Sequence, residues 1–138
     1  MSDGYAGDVD PREAWEMLAT TENAVLVDVR TDAEWRFVGV PDTSSLNKGA
    51  LLVEWNTADG RNPDFLEELA AHGVTPGSGP VLFLCRSGVR SIAAAQAATA
   101  AGITPAYNIT EGFEGPLDDA GHRGGAGWKA TGLPWRQS

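Results

Sequence analysis

The sequence predicts an α/β domain built on a mainly parallel sheet, and three features carry that prediction. Ala24-Val25-Leu26-Val27-Asp28-Val29 is a β-branched run without polar alternation, the pattern of a strand covered on both faces. Pro80-Val81-Leu82-Phe83-Leu84 is a second run of the same kind. Segments with helix start and stop signals lie between the strand candidates, and such alternation is the mark of a parallel sheet packed by helices.

Taken in order, residues 1–8 read as a flexible N-terminal tail and residues 9–138 as a single domain. Asp10-Pro11 combines an N-cap with proline at the first helical position, so a helix is expected from Pro11 to about Thr20. Ala14, Trp15, Leu18 and Met17 are the candidates for its inward face. After the first buried strand, Thr31-Asp32-Ala33-Glu34 has capping-box spacing and opens a short helix. Gly39 to Lys48 is rich in turn formers, with a candidate short strand at Ser44-Ser45-Leu46-Asn47. Leu51 to Trp55 is apolar and suits either strand or loop. Asn62-Pro63-Asp64 starts a helix expected over Pro63 to Ala71, ended near His72-Gly73. The second buried strand leads into Cys85, and the alanine-rich Val89 to Ala101 follows as a helix closed by Gly102. Pro105-Ala106-Tyr107-Asn108-Ile109 is a third strand candidate. From about residue 114 the chain is glycine-rich and is expected to be irregular but packed, with Phe113, Trp128 and Trp135 as anchors.

Composition narrows the function. The 138 residues are 42% hydrophobic with a mean hydropathy of -0.22, ordinary for a soluble globular protein. No apolar run approaches a membrane span, and the acidic start lacks the basic and apolar parts of a secretory signal, so a cytoplasmic location is expected. Nineteen acidic against ten basic residues give a net charge of -9, which argues against nucleic acid and anionic membrane as partners. An anionic substrate would then have to be attracted by a local basic pocket. A single cysteine excludes an internal disulfide and a cysteine-built zinc site. His72 and His122 lack metal-ligand spacing and read as surface or structural residues. No metal or organic cofactor is implied, and chemistry, if present, is thiol chemistry at Cys85.

In a parallel α/β sheet, ligands bind at the carboxyl ends of the strands. Asp28 to Arg30 and Cys85 to Arg90 each follow a buried strand directly, so both loops are expected at that edge. In Leu84-Cys85-Arg86-Ser87-Gly88-Val89-Arg90-Ser91 the N–H groups of the loop and first helical turn have no intrahelical partners. The helix dipole and the fixed charges of Arg86 and Arg90 add to them, and all these terms favour a thiolate. Gly88 permits tight curvature, and Ser87 and Ser91 offer hydroxyl donors. A cysteine at a strand end is otherwise often a small buried hydrophobe, but two arginines beside it favour a reactive thiol.

Leu26-Val27-Asp28-Val29-Arg30 with Glu34-Trp35, and Cys85-Arg86-Ser87-Gly88-Val89-Arg90-Ser91, together resemble the two most specific signatures of the rhodanese family. The likeness extends from the Asp10-Pro11 helix to Glu111-Gly112-Phe113, which resembles the family's late glycine-containing turn. It implies a five-stranded parallel sheet between helices and a thiosulfate-type sulfurtransferase. By resemblance, Cys85 is the nucleophile that carries a persulfide, Arg86 meets a small anionic sulfur donor, and Arg90 closes the loop. The N–H groups from Arg86 through Ser87, Gly88 and Val89 to Ser91 form the cradle. Asp28, Arg30 and Glu34 have supporting roles, with Arg30 expected to pair with Glu34. The acceptor would be cyanide, a thiol or a partner protein. One departure is Gly39-Val40-Pro41-Asp42, where many rhodaneses have a Gly-His-Ile-Pro-Gly pattern, so no role of that histidine carries over.

Two other readings share features with this one. A phosphatase or arsenate reductase also sets a thiolate in an anion-binding loop, but Cys85 and Arg90 enclose four residues, one fewer than that design. Leu84 also replaces the histidine that such phosphatases carry. A non-catalytic module that keeps the fold for binding or regulation is the third reading, weakened by the retained cysteine. Trp35 and Trp55 are candidates to wall a pocket, with core packing the commoner role for tryptophan.

Overall fold

The structure is a computed structural model and describes residues 4–57 and 59–137. Its elements run β1 (Gly7–Val9), α1 (Pro11–Thr20), β2 (Val25–Asp28), α2 (Asp32–Phe37), β3 (Val40–Pro41), a 3-10 turn (Ser44–Leu46) and β4 (Leu51–Leu52). They continue β5 (Asn56–Thr57), β6 (Gly60–Arg61), α3 (Phe65–Ala71), β7 (Val81–Leu84), α4 (Arg90–Ala100), β8 (Ala106–Ile109) and β9 (Trp135–Arg136). The central sheet has five strands in the order β1-β8-β7-β2-β4, and every pairing in it is parallel. Two small antiparallel pairs, β3 with β9 and β5 with β6, lie outside it.

The unbroken apolar runs of β2 and β7 follow from cover on both faces. Val27, Val81, Phe83 and Cys85 pack with Phe65 and Leu69 of α3 and with Ala94, Ala95 and Ala98 of α4. Leu26, Leu82, Leu84 and Ile109 pack on the other face with Ala14 and Leu18 of α1, and with Phe113, Trp128 and Leu133 of the C-terminal segment. The small side chains of α4 let that helix lie close to β7 and β8.

Both predicted helix starts, the N-cap at Asp10 and the capping box at Thr31, are present, and Asp10 also proves to be part of a capping box. Asp10 caps α1 with Glu13 reciprocating, and Thr31 caps α2 with Glu34 reciprocating. Other expectations need correction. Within the expected N-terminal tail, Tyr5 is buried and Gly7–Val9 forms edge strand β1 on β8; residues 1–3 lie outside the described residues. The apolar content there was too short to register as a strand. Ser44 to Asn47 is a 3-10 turn and not a strand, because Asp42 Oδ1 accepts from the Ser44 N–H and hydroxyl and Asn47 adopts a left-handed conformation. Helix α3 starts at Phe65 rather than Pro63, since the Asn62 side chain accepts from the Asp64 N–H and bends the entry into a turn.

The C-terminal segment has little regular structure and packs against the sheet. Trp128 is fully buried, meets Trp15 edge-on at 5.8 Å, and donates from its indole to the Pro134 carbonyl at 2.7 Å. Trp135 is the exception among the three anchors: it is 40% exposed, although its ring meets Phe113 and lies under the Lys129 ammonium.

Candidate active site

Cys85 follows β7 immediately, and its side chain is 1% exposed on the α4 face of the sheet. The Gly88 N–H donates to its sulfur at 3.1 Å, and Ser91 Oγ of the first turn of α4 lies 3.2 Å from it. The loop turns back on the thiol at Gly88, whose φ of +98 is a conformation that L side chains rarely adopt.

A second segment clamps this loop from outside. The N–H of Phe113 donates to the Cys85 carbonyl at 2.8 Å, and those of Glu114 and Gly115 donate to the Arg86 carbonyl at 2.9 and 3.2 Å. The Cys85 and Arg86 carbonyls are thus engaged by this segment, and the Gly88 N–H is the loop donor that reaches the sulfur. Gly112, at φ +61, makes the approach possible, because a Cβ there would run into the backbone of Cys85 and Arg86.

The charged groups divide into a tied set and a free one. Arg90 forms a bidentate pair with Glu34 at 2.8 and 2.9 Å. Burial would raise the Glu34 carboxyl, but hydrogen bonds from Arg90 and Thr31 and the Arg90 charge together hold it below the ordinary carboxylate range. The same pairing, helped by the charge of Asp28, raises Arg90 against a smaller burial cost. Arg30 does not pair with Glu34 as expected. It pairs with Asp28 at 2.6 Å, donates to the Gly39 carbonyl at 2.8 Å and lies 4.2 Å above the Phe113 ring, fully buried. Arg30 precedes the cap of α2, so the spacing that suggested a helical pair does not place it on the helix.

Arg86 is exposed and has no hydrogen bond or ion pair among the described residues. It is therefore the unengaged cation of the loop. Ser87 is half-buried, Val89 is 72% exposed, and Ser91 is fully buried. Trp55 meets Phe65 edge-on at 4.9 Å in the core, and Trp35 is half-buried on α2. His72 and His122 are exposed, and no group of three potential metal ligands occurs among the described residues. Missed in the sequence were Asn108 and Asp8, which continue the hydrogen bonding beyond Ser91. An asparagine inside the apolar strand β8 was the available signal, since a buried amide demands partners.

Residues 7–138 match the model of the STR4 middle domain, and the chain belongs to that family. It is 61% identical to Rv0390 from M. tuberculosis, whose crystal structure superposes with a TM-score of 0.90 over 97% of this chain and 99% of that one. Rhodanese-like domain-containing protein 4, chloroplastic, of Arabidopsis thaliana is 32% identical over 90% of this chain, which spans 24% of that longer protein. The solution structure of the polysulfide-sulfur transferase homodimer from Wolinella succinogenes is 24% identical, with a TM-score of 0.64 over 95% of this chain and 78% of that one. The fold is rhodanese-like, as the resemblance implied. No helix among the described residues is long and apolar enough to cross a membrane.

Proposed function

We propose that the protein is a sulfurtransferase in which Cys85 carries sulfane sulfur as a persulfide from a small anionic donor such as thiosulfate to a nucleophilic acceptor. The observation that carries this reading is the loop itself: a lone thiol facing a loop N–H and the start of α4, with an unengaged arginine beside it. The Cys85 thiolate attacks the outer sulfur of thiosulfate, a new S–S bond forms, and the bond to the sulfonyl sulfur breaks. Sulfite leaves with that electron pair, helped by Arg86. Cyanide, a small thiol or a partner cysteine then takes the terminal sulfur and returns the thiolate, the two-step pattern of covalent catalysis. Arg90 is held by Glu34 and shapes the loop, so its part is positioning.

The burial of Cys85 favours one second reading, a module that uses the same fold for binding without turnover. Thiocyanate formation from thiosulfate and cyanide separates the two. The parent is expected to turn over and Cys85→Ser to be inactive. Arg86→Ala is expected to raise KM for thiosulfate by about tenfold, the order of one lost charge-assisted contact, with thermal stability unchanged. Equal kinetics for Arg86→Ala and parent would remove Arg86 from the donor site, and an inactive parent would favour the binding module.

A further inference from the structure

Positive charge collects at one place in this acidic chain. Acidic residues outnumber basic ones by nineteen to ten, yet Arg86, Arg123 and Lys129 all meet the 112–115 segment that clamps the active-site loop. The Arg86 carbonyl accepts from Glu114 and Gly115, Arg123 Nη1 donates to the Gly115 carbonyl at 2.9 Å, and the Lys129 ammonium lies 5.7 Å from the Phe113 ring centre. None of the three has a carboxylate partner among the described residues, where ion pairs join Arg30 to Asp28, Arg36 to Asp32 and Arg90 to Glu34.

Arg123 and Lys129 line a cavity of about 360 Å³ with Glu114, Gly124, Ala130 and Trp135. Both cations are half-buried, so salt screens them less than it would a fully exposed charge. A guanidinium has five N–H donors, and Arg123 commits one of them to Gly115. The Lys129 ammonium sits 3.9 Å over the Trp135 ring, which holds the cation by its π face and leaves N–H groups for a ligand. Glu114 is the single opposing charge in the lining, so two cations face one carboxylate and an anion is favoured. The wall is fixed to the clamp. A Cβ on Gly115 would run into the backbone of Ala126, and one on Gly127 into that of Gly115. The clamp follows β8 as the Cys85 loop follows β7, so pocket and thiol share the carboxyl edge of the sheet.

We propose that this pocket is a carboxylate subsite that seats a small thiol acceptor bearing carboxylate groups, with Arg123 and Lys129 as its specificity-determining residues. The assignment rests on the sulfurtransferase reading, in which Arg86 serves the donor and the acceptor has no partner of its own. A guanidinium fork matches a carboxylate, and the cavity falls in the range of about 300–1,000 Å³ used for small molecules. With the carboxylate held there, the acceptor's thiolate forms a bond to the outer sulfur of the Cys85 persulfide. The S–S bond to Cys85 breaks, its electron pair returns to Cys85 as thiolate, and the acceptor departs as a persulfide.

Two measurements test the subsite. Reduced parent and Lys129→Gln are titrated with mercaptosuccinate by calorimetry. Their persulfide-loaded forms are then discharged by mercaptosuccinate or by neutral 2-mercaptoethanol and followed by intact mass. The parent binds mercaptosuccinate, and Lys129→Gln binds it about tenfold more weakly, the order of one charge-assisted contact. The rate with mercaptosuccinate relative to that with 2-mercaptoethanol falls by a similar factor, since a ratio within one protein cancels any change in the persulfide itself. Lys129→Arg keeps the parental ratio, and Glu114→Gln raises it. Arg61→Gln, which removes an equal charge from β6 outside the pocket, leaves the ratio parental, and a matching fall there overturns a local site. Absence of mercaptosuccinate binding by the parent overturns the pocket, and equal slowing with both thiols overturns its part in specificity. Binding without any sulfur loaded overturns the acceptor role through the sulfurtransferase reading, so the two failures are told apart.

Discussion

Glu34 serves two elements at once, closing the capping box of α2 and gripping Arg90 at the start of α4. Glu34→Gln is expected to lower stability by about 1–2 kcal/mol near neutral pH, as for a charge-assisted, partly buried pair. The sign with pH follows from its lowered carboxyl: the ionised pair contributes fully above the ordinary value of 4.5 and is lost as pH falls through the lower folded value. Urea unfolding of parent and variant should therefore differ at pH 7 and converge under acid, and a constant difference would show that the pair is not the cause. At this scale the sequence was legible where chemistry is local. The N-cap at Asp10 and the capping box at Thr31 lie within a few residues and were read correctly, although the reciprocal contact of Glu13 at Asp10 was not. The partner of Arg90 depends on which strand ends meet, which residue spacing does not report, whereas Arg30 turns to Asp28 only two residues away and not to a helical neighbour.

The active-site loop is shaped by two elements that touch it from different parts of the chain, α4 and the 112–115 segment. Gly112→Ala places a methyl group against the backbone of Cys85 and Arg86 at a residue with positive φ. It is expected to cost roughly 1–3 kcal/mol for the backbone conformation alone, with further loss from the clash. Thermal unfolding and alkylation of Cys85 should both change; an unaltered protein would mean that the clamp does not hold the loop. The Glu111-Gly112-Phe113 motif was visible in the sequence, but its target was not. Strand β1 was hidden for a related reason. Gly7–Val9 has no hydrophobic pattern of its own, and its strand form comes from pairing with β8.

Across the whole molecule, the sheet has one face closed by α3 and α4 and the other by α1 together with the C-terminal segment. That segment is therefore part of the core. Trp128→Ala is expected to destabilise the protein by about 3–5 kcal/mol, the range for removing a fully buried large aromatic side chain. A urea midpoint close to the parent's would show that the segment is a detachable cover. The parallel α/β class was legible because β2 and β7 are buried on both sides and must be apolar throughout. The strand order, and with it the meeting of Cys85, Ser91, Asn108 and Asp8, arises from long-range pairing that no short window of sequence contains. The central claim is that Cys85 accepts sulfur, and incubation of the reduced protein with thiosulfate followed by intact-mass measurement tests it most directly. The account predicts a gain of one sulfur atom on the parent and none on Cys85→Ser, reversed by cyanide with release of thiocyanate. No gain on the parent, or a gain that cyanide does not remove, would contradict it.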